Sequence, residues 1–402
     1  MTPVRKWMAA ALGAVALATS PLLQAQQGSS NTLQVGVIGP FSGPSSDFGT
    51  PMLQGIQMAV DEINAVGGYL GRPLALVVKD DKGDPDAGLK AAQELAAQKV
   101  VATIGFCNTG VAMKALDVFQ NGRMPLIVPC STGSPVTAKY PAPESYIFRN
   151  AARDSIQAPF VVNDIVKRGW TKVAIFADTT GYGEAGLKDV EAALEARKLK
   201  AVHVTRFPLG VTDLRTELQA ARDAGANVVF SYTVGKENAV IANGRKDLGW
   251  KVPQVGAWPL SFPFFIEGAK EAADGALMAQ TFIAEPSNER RAAFLSAFTR
   301  KHGKRMAVPM AAAQGYDAAY LLTYALFGIR DGKLDGPAVK FALENIRRVY
   351  YGVVATYERP FSLDDKDALT ENMLVMGKVQ GGAVTFAYPE DAKRNLIVQR
   401  KK

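Results

Sequence analysis

The chain has 402 residues, with 46 Lys and Arg against 38 Asp and Glu, and only two Cys and two His. Its formal charge of +8 is scattered along the sequence, without the basic-aromatic stripes of single-strand binders, which argues against nucleic acid as a partner. The cysteines and the distant His203 and His302 are too few soft ligands for a metal site, and the length suits two domains of ordinary size.

Residues 1–25 carry Arg5 and Lys6, an apolar run over 7–17, then Leu23, Gln24 and Ala25. This reads as a secretory signal peptide cleaved after Ala25, because the apolar core is shorter than the ~20 residues of a membrane span. A strand follows over 33–38, a loop of small and hydroxyl residues over 39–49, a helix over 52–64, a turn over 67–71 and a strand over 74–78 that ends on Asp80 and Asp81. In that helix Met52, Ile56, Ala59, Val60 and Ile63 recur every three or four residues, the period of a core-facing stripe. A β-α-β unit of this kind binds ligands at the carboxyl ends of its strands.

The alternation continues with a strand over 100–104, a helix over 111–120, a strand over 125–128 and a proline- and tyrosine-rich boundary loop over 140–146. A second series then begins. Its helices fall over 155–168, 184–198, 212–224 and 236–248, and its strands over 172–176, 201–207, 227–230 and 254–257. Continuous apolar runs such as Val173 to Phe176 fit strands covered on both faces of a parallel sheet. Helices over 289–302, 311–327 and 340–347 and short β pieces over 349–354 complete the chain. The fold class is α/β, with two doubly wound parallel-sheet lobes.

Cys107 and Cys130 both sit just past strand ends of neighbouring parallel strands. In an oxidising compartment they either pair or remain two buried thiols. A nicotinamide enzyme is disfavoured, since Gly36, Gly39 and Gly43 do not make the G-x-G-x-x-G spacing. A hydrolase is disfavoured by the lack of a G-x-S-x-G elbow. No enzyme activity and no cofactor are expected.

Several motifs together resemble the bacterial solute-binding proteins of the leucine/isoleucine/valine-binding type, which serve branched-chain amino acid ABC importers. They are Ile-Gly-Pro-Phe-Ser-Gly over 38–43 with Phe48 and Gly49, Ala-Val-Asp-Glu-Ile-Asn over 59–64, Asp80 and Asp81, Asp178 with Gly-Tyr-Gly-Glu over 181–184, and Gln-Gly-Tyr-Asp-Ala-Ala over 314–319. The resemblance implies a type I periplasmic-binding-protein fold with a three-strand hinge. One lobe would comprise 31–150 plus 278–355, the other 151–277 plus 356–402.

The resemblance also implies a ligand-binding set of Phe48, Phe106, Asn108, Thr109, Ser131, Thr132, Tyr182, Tyr232 and Trp258. The loops at 107–109 and 130–132 would hold a carboxylate with N–H groups and hydroxyls, and Phe48 and Tyr182 would cover the ligand. Ser131 and Thr132 would otherwise simply cap a helix, and Phe48 would be plain core. The family's ammonium-pairing acid aligns with Trp258, and a tyrosine position with Val234, so an amino-acid ligand would need Glu237 or Asp178 as a substitute. The implied partners are a small molecule (an amino acid, an aromatic or aliphatic carboxylate, or an amide) and an inner-membrane ABC permease, with the receptor a periplasmic monomer. The alternative is a sensory receptor that presents its closed state to a membrane chemoreceptor or kinase.

Overall fold

A computed structural model of the protein describes residues 32–394. The signal peptide expected over 1–25 and the basic tail from Arg400 lie outside the described residues. The first sheet contains β1 (Leu33–Gly39), β2 (Leu74–Asp80), β3 (Thr103–Gly105), β4 (Leu126–Val128) and β5 (Ile147–Arg149), in the order β2-β1-β3-β4-β5 and parallel throughout.

The second sheet begins with β6 (Val173–Asp178), β7 (His203–Phe207), β8 (Val228–Tyr232), β9 (Gln254–Gly256) and β10 (Leu277–Gln280). After the two-residue antiparallel pair β11 (Tyr350–Tyr351) and β12 (Thr356–Tyr357), it closes with β13 (Val375–Gln380) and β14 (Ala383–Phe386). Its order is β14-β13-β10-β9-β8-β6-β7, with β13 and β14 antiparallel at one edge. In each sheet the strand order reverses, between β1 and β3 in the first and between β6 and β8 in the second. Loops leaving the carboxyl ends of those strand pairs diverge and open a crevice, so each lobe has one switch point where a ligand can sit.

The three-residue strand β5 and the edge hairpin β13–β14 are elements that the sequence reading passed over. A three-residue run is too short to show a period, and β5 directly follows a proline-rich loop. The first helix spans Ser46–Ala65, one and a half turns earlier than the sequence pattern indicates. Gly43, at φ +78°, turns the chain, and the Ser46 hydroxyl bonds back to its carbonyl at 2.8 Å, so the helix starts at once and Phe48 lies on its first turn. The helix packs closely on Pro309–Leu326: a Cβ on Gly55 would stand 1.9 Å from the Ala312 carbonyl oxygen, so only glycine fits there.

The chain passes between the two sheets three times: after β5, after β10 and on the way to β13. Two buried carboxylates hold these passages. Asp317 accepts hydrogen bonds from the Tyr350 and Tyr357 hydroxyls, at 3.0 Å each, and from the Val353 and Val354 N–H groups, at 2.9 Å each. Burial outweighs those four donors and pushes its carboxyl up to about 6.

Asp367 accepts from the Arg149 Nε at 2.6 Å. The backbone of residues 366–368 pairs beside β5, with Arg149 donating to the Lys366 carbonyl and Ala368 donating to the Arg149 carbonyl, both at 2.8 Å. Burial raises the Asp367 carboxyl, but the neighbouring guanidinium charge and hydrogen bond prevail and hold it below the usual carboxylate range. The stability this pair contributes is therefore present above the ordinary carboxylate pKa, and is lost as acid takes the pH down through the lowered value. Asp367→Ala is predicted to cost roughly 3–5 kcal/mol in chemical denaturation, because Arg149 is left buried without its counter-charge. A loss under about 1 kcal/mol would show that the pair is dispensable.

Candidate functional site

The two switch points face one another. From the first lobe, Phe48, Cys107, Thr109 and Thr132 come to the crevice, and Tyr182, Val234, Trp258, Pro259 and Phe262 meet them from the second. The gap left between them is about 10 Å³, close to what one water needs. The lobes are thus closed with their aromatic side chains packed together. Phe48 and Phe262 stand 5.1 Å apart at their ring centroids, and Trp258 meets Phe262 edge-on at 4.8 Å.

On the first lobe the geometry starts at Phe106, held at φ +68°. Left-handed backbone costs a residue with a Cβ about 1–2 kcal/mol, and the conformation is fixed by hydrogen bonds to β1 and to Ser131. The turn sends the Phe106 ring into the core against Phe119, at 5.8 Å and edge-on, and the chain back over the sheet end. Phe106 therefore does not line the gap. Cys107 and Cys130 are bridged, with Cα atoms 4.5 Å apart, which ties the loop after β3 to the loop after β4.

Asn108 is the N-cap of helix Thr109–Asn121, yet its side chain makes no capping bond; its Nδ2 donates to the Ser45 Oγ at 3.1 Å instead. The first-turn N–H groups of that helix are left without a side-chain cap at the crevice, where the positive end of the helix dipole favours an anion. The Ser131 hydroxyl, fully buried, pairs with the Thr109 hydroxyl at 3.1 Å and stays behind the crevice wall.

The second lobe brings another helix start to the same place. Helix Gly181–Glu195 is capped by Thr180, whose Oγ1 accepts from the Tyr182 N–H at 3.2 Å and the Gly183 N–H at 3.4 Å. A Cβ on Gly181 would lie 3.1 Å from the Gly110 Cα, so the two helix starts touch through glycine backbone. Tyr182 stacks at a tilt on Tyr232, centroids 4.9 Å apart, and Tyr232 sits behind it without reaching the gap.

A residue that the sequence reading missed completes the cluster. Asp154 opens helix Asp154–Lys167 and is fully buried. Its carboxyl faces the hydroxyls of Thr132 and Tyr232, with Tyr182 adjacent. Asp154 Oδ2, Thr132 Oγ1 and the Tyr182 and Tyr232 hydroxyls are all buried without a hydrogen-bond partner among the described residues. Burial pushes the Asp154 carboxyl up to about 7, and it raises both tyrosines well above their ordinary range.

The two acids named as substitutes from sequence are engaged elsewhere. Asp178 accepts from the Thr180 N–H and hydroxyl and, at 2.9 Å, from the Val234 N–H. Glu237 accepts from the Gly210 N–H at 2.6 Å. The sequence signal for Asp154 was its place as a first-turn acid at a helix start, a feature shared with ordinary capping residues. Among the described residues, no three His, Cys, Asp or Glu side chains gather as metal ligands, and no helix is long and apolar enough to cross a membrane.

Two doubly wound lobes that close strand-end loops over an interlobe crevice define the type I solute-binding class. The chain belongs to the periplasmic binding protein family, whose sequence profile matches residues 32–383. It is 30% identical over 231 residues to Leu/Ile/Val-binding protein homolog 3 of Brucella melitensis, covering 57% of this chain and 62% of that one. To Leu/Ile/Val-binding protein BraC3 of Rhizobium johnstonii it is 29% identical, over 69% of this chain and 73% of that one.

Its fold matches that of a type 1 periplasmic binding protein from Bordetella pertussis with a TM-score of 0.79 and 22% identity, over 88% of this chain and 99% of the other. It also matches the branched-chain amino acid transporter substrate-binding protein LivJ from Streptococcus pneumoniae in complex with isoleucine, at a TM-score of 0.76 and 23% identity, over 88% and 97%. A solute-binding protein from Rhodopseudomonas palustris HaA2 in complex with p-hydroxybenzoic acid gives 0.76 and 24%, over 89% and 98%.

The glycine contact carries a prediction. Gly181→Val places a branched side chain against Gly110, and overpacking such a contact costs roughly 1–3 kcal/mol. The expected result is a larger radius of gyration in small-angle scattering with little change in melting temperature. An unchanged radius would mean that the valine is accommodated with the helix starts still together.

Proposed function

We propose that the protein is an extracytoplasmic solute receptor of an ABC importer, exported to the periplasm by its signal peptide and acting there as a monomer. It captures a small carboxylate, most suitably an amino acid, by closing two lobes about three passages near residues 150, 280 and 368. The ligand carboxylate is held by the uncapped start of helix Thr109–Asn121 with the Thr109 and Thr132 hydroxyls, and Phe48, Tyr182, Trp258 and Phe262 exclude water around the apolar remainder. A membrane permease reads the closed form, which the ligand stabilises further by contacts with both lobes. Binding without chemical turnover is part of the same proposal.

The observation that carries this reading is the fully buried carboxyl of Asp154, which faces the Thr132 and Tyr232 hydroxyls and whose Oδ1 accepts from the Gln157 Nε2 at 3.4 Å. A crevice with an anion-favouring helix start on one side and a buried acid on the other suits a zwitterion. The departure at Trp258 then costs nothing, because the counter-charge comes from the helix after β5. Isoleucine and p-hydroxybenzoic acid, bound by two structures of the same fold, share a carboxylate and differ in the ammonium, so both are direct probes.

Thermal-shift measurements on the mature protein refolded free of carried-over ligand are expected to show stabilisation by leucine, isoleucine or valine. A ligand at a hundred times its dissociation constant adds about 2.7 kcal/mol. Stabilisation by p-hydroxybenzoate alone would make the receptor one for simple acids and would remove Asp154 as an ammonium partner.

The pH dependence tests the same point. A carboxyl raised to about 7 in the folded protein binds a proton that the unfolded chain releases near 4, so ligand-free stability falls as pH rises between those values. An ammonium ligand needs the ionised form, so amino-acid affinity is predicted to rise by up to about tenfold per pH unit on approach to pH 7. Asp154→Asn should flatten that profile, weaken amino-acid binding and stabilise the ligand-free protein at pH 8. An unchanged profile in calorimetric titration would place the ammonium elsewhere.

A further inference from the structure

Beside the second passage, away from the closed crevice, lies a cavity of about 590 Å³, well inside the range of small-molecule sites. Its walls come from three parts of the fold. Ile266 and Val384 belong to the lobe of the second sheet, Leu295 and Met306 to the segment of helix Glu289–His302 and the loop after it, and Gln280 and Ile283 to the passage itself. The lining mixes apolar side chains with polar ones, and it shares no residue with the crevice, although Ser261 and Pro263 flank the crevice residue Phe262.

One wall group is polar and deeply buried. Gln280 is 2% exposed, and its Nε2 has no hydrogen-bond partner among the described residues. A buried donor left unmade costs roughly 1–3 kcal/mol, so this amide is suited to an acceptor oxygen brought by an occupant. The other polar wall hydroxyls are already in use: Ser261 donates to the Trp258 carbonyl at 2.7 Å and Thr299 to the Leu295 carbonyl at 3.0 Å. The charged residues of the lining are Arg305 and Glu267, and Lys301 on the preceding helix is already paired with Asp61. Of these, Arg305 offers a carboxylate at the mouth its counter-charge.

We propose that this cavity is a second ligand site, separate from the interlobe crevice, for a small monocarboxylate with an apolar body. Its alkyl or aryl part lies against Ile266, Ile283, Leu295, Met306 and Val384, and a carboxylate oxygen accepts from the Gln280 Nε2 with Arg305 at the mouth. The occupant touches both lobes and the passage between them. It is therefore held by a part of the fold that solute capture in the crevice does not use.

Isothermal titration with octanoate tests this on the mature protein and on three variants. Gln280→Met keeps the side-chain volume and removes the donor, and Met306→Trp fills the cavity from its rim. Asp154→Asn alters the crevice alone. Octanoate is expected to bind the wild type with one-to-one stoichiometry at millimolar concentration or below. Gln280→Met and Met306→Trp should each weaken it about tenfold or more, and Asp154→Asn should leave it unchanged.

Absence of binding to the wild type overturns the proposal. So does wild-type affinity in both cavity variants, whatever Asp154→Asn does, which would put octanoate in the crevice or elsewhere. If Met306→Trp fails to fold, Gln280→Met decides alone, because it replaces an unpartnered amide with an apolar group of similar size. The outcome is independent of whether the crevice takes amino acids.

Discussion

The buried pair of Arg149 and Asp367 is the interaction on which the site depends. Arg149 ends β5, and its guanidinium donates to the Thr132 carbonyl at 3.0 Å, the Gly133 carbonyl at 2.8 Å and the Thr137 hydroxyl at 2.7 Å, besides Asp367. Those carbonyls belong to the loop after β4, whose other side carries the Thr132 hydroxyl into the crevice. Asp367 comes from the third passage between the lobes. One fully buried cation thus fixes the loop that faces the ligand and the segment that must bend for the lobes to part. In a low-dielectric interior such a pair withstands salt, and its removal leaves an uncompensated charge.

Around that anchor, closure is a matter of small residues meeting without side chains. Gly110 and Gly181 let two helix starts come together, which sets two like-signed dipole ends side by side. The buried acid Asp154 lies behind the crevice residues Thr132 and Tyr182, beside Tyr232. Almost no free volume is left between the closed lobes.

Much of the fold was legible in the sequence. Continuous apolar strands such as β6 and the stripe of Met52, Ile56 and Ile63 are long enough to show their period, and the ordering of β-α units gave two lobes. The three-residue strand β5 could not be read, since its pairing is fixed by neighbours far along the chain. The site was legible in its loops but not in its chemistry. Phe48, Thr109, Thr132, Tyr182 and Trp258 come to the crevice. Phe106 turns inward on a left-handed backbone, which no local pattern announces. Asp154 looked like any first-turn acid. Burial raises its carboxyl against the lowering hydrogen bonds of Thr132 and of Tyr232, almost eighty residues on, and such burial is a property of the assembled lobes.

The bridge between Cys107 and Cys130 has a further consequence for how tightly any solute is held. Two loops that approach a ligand from adjacent strands normally surrender conformational freedom when it arrives, and that loss is subtracted from the affinity. Here the freedom is removed when the protein folds, so the first lobe meets its solute already shaped, and what remains to be ordered on capture is the rigid-body motion of one lobe towards the other.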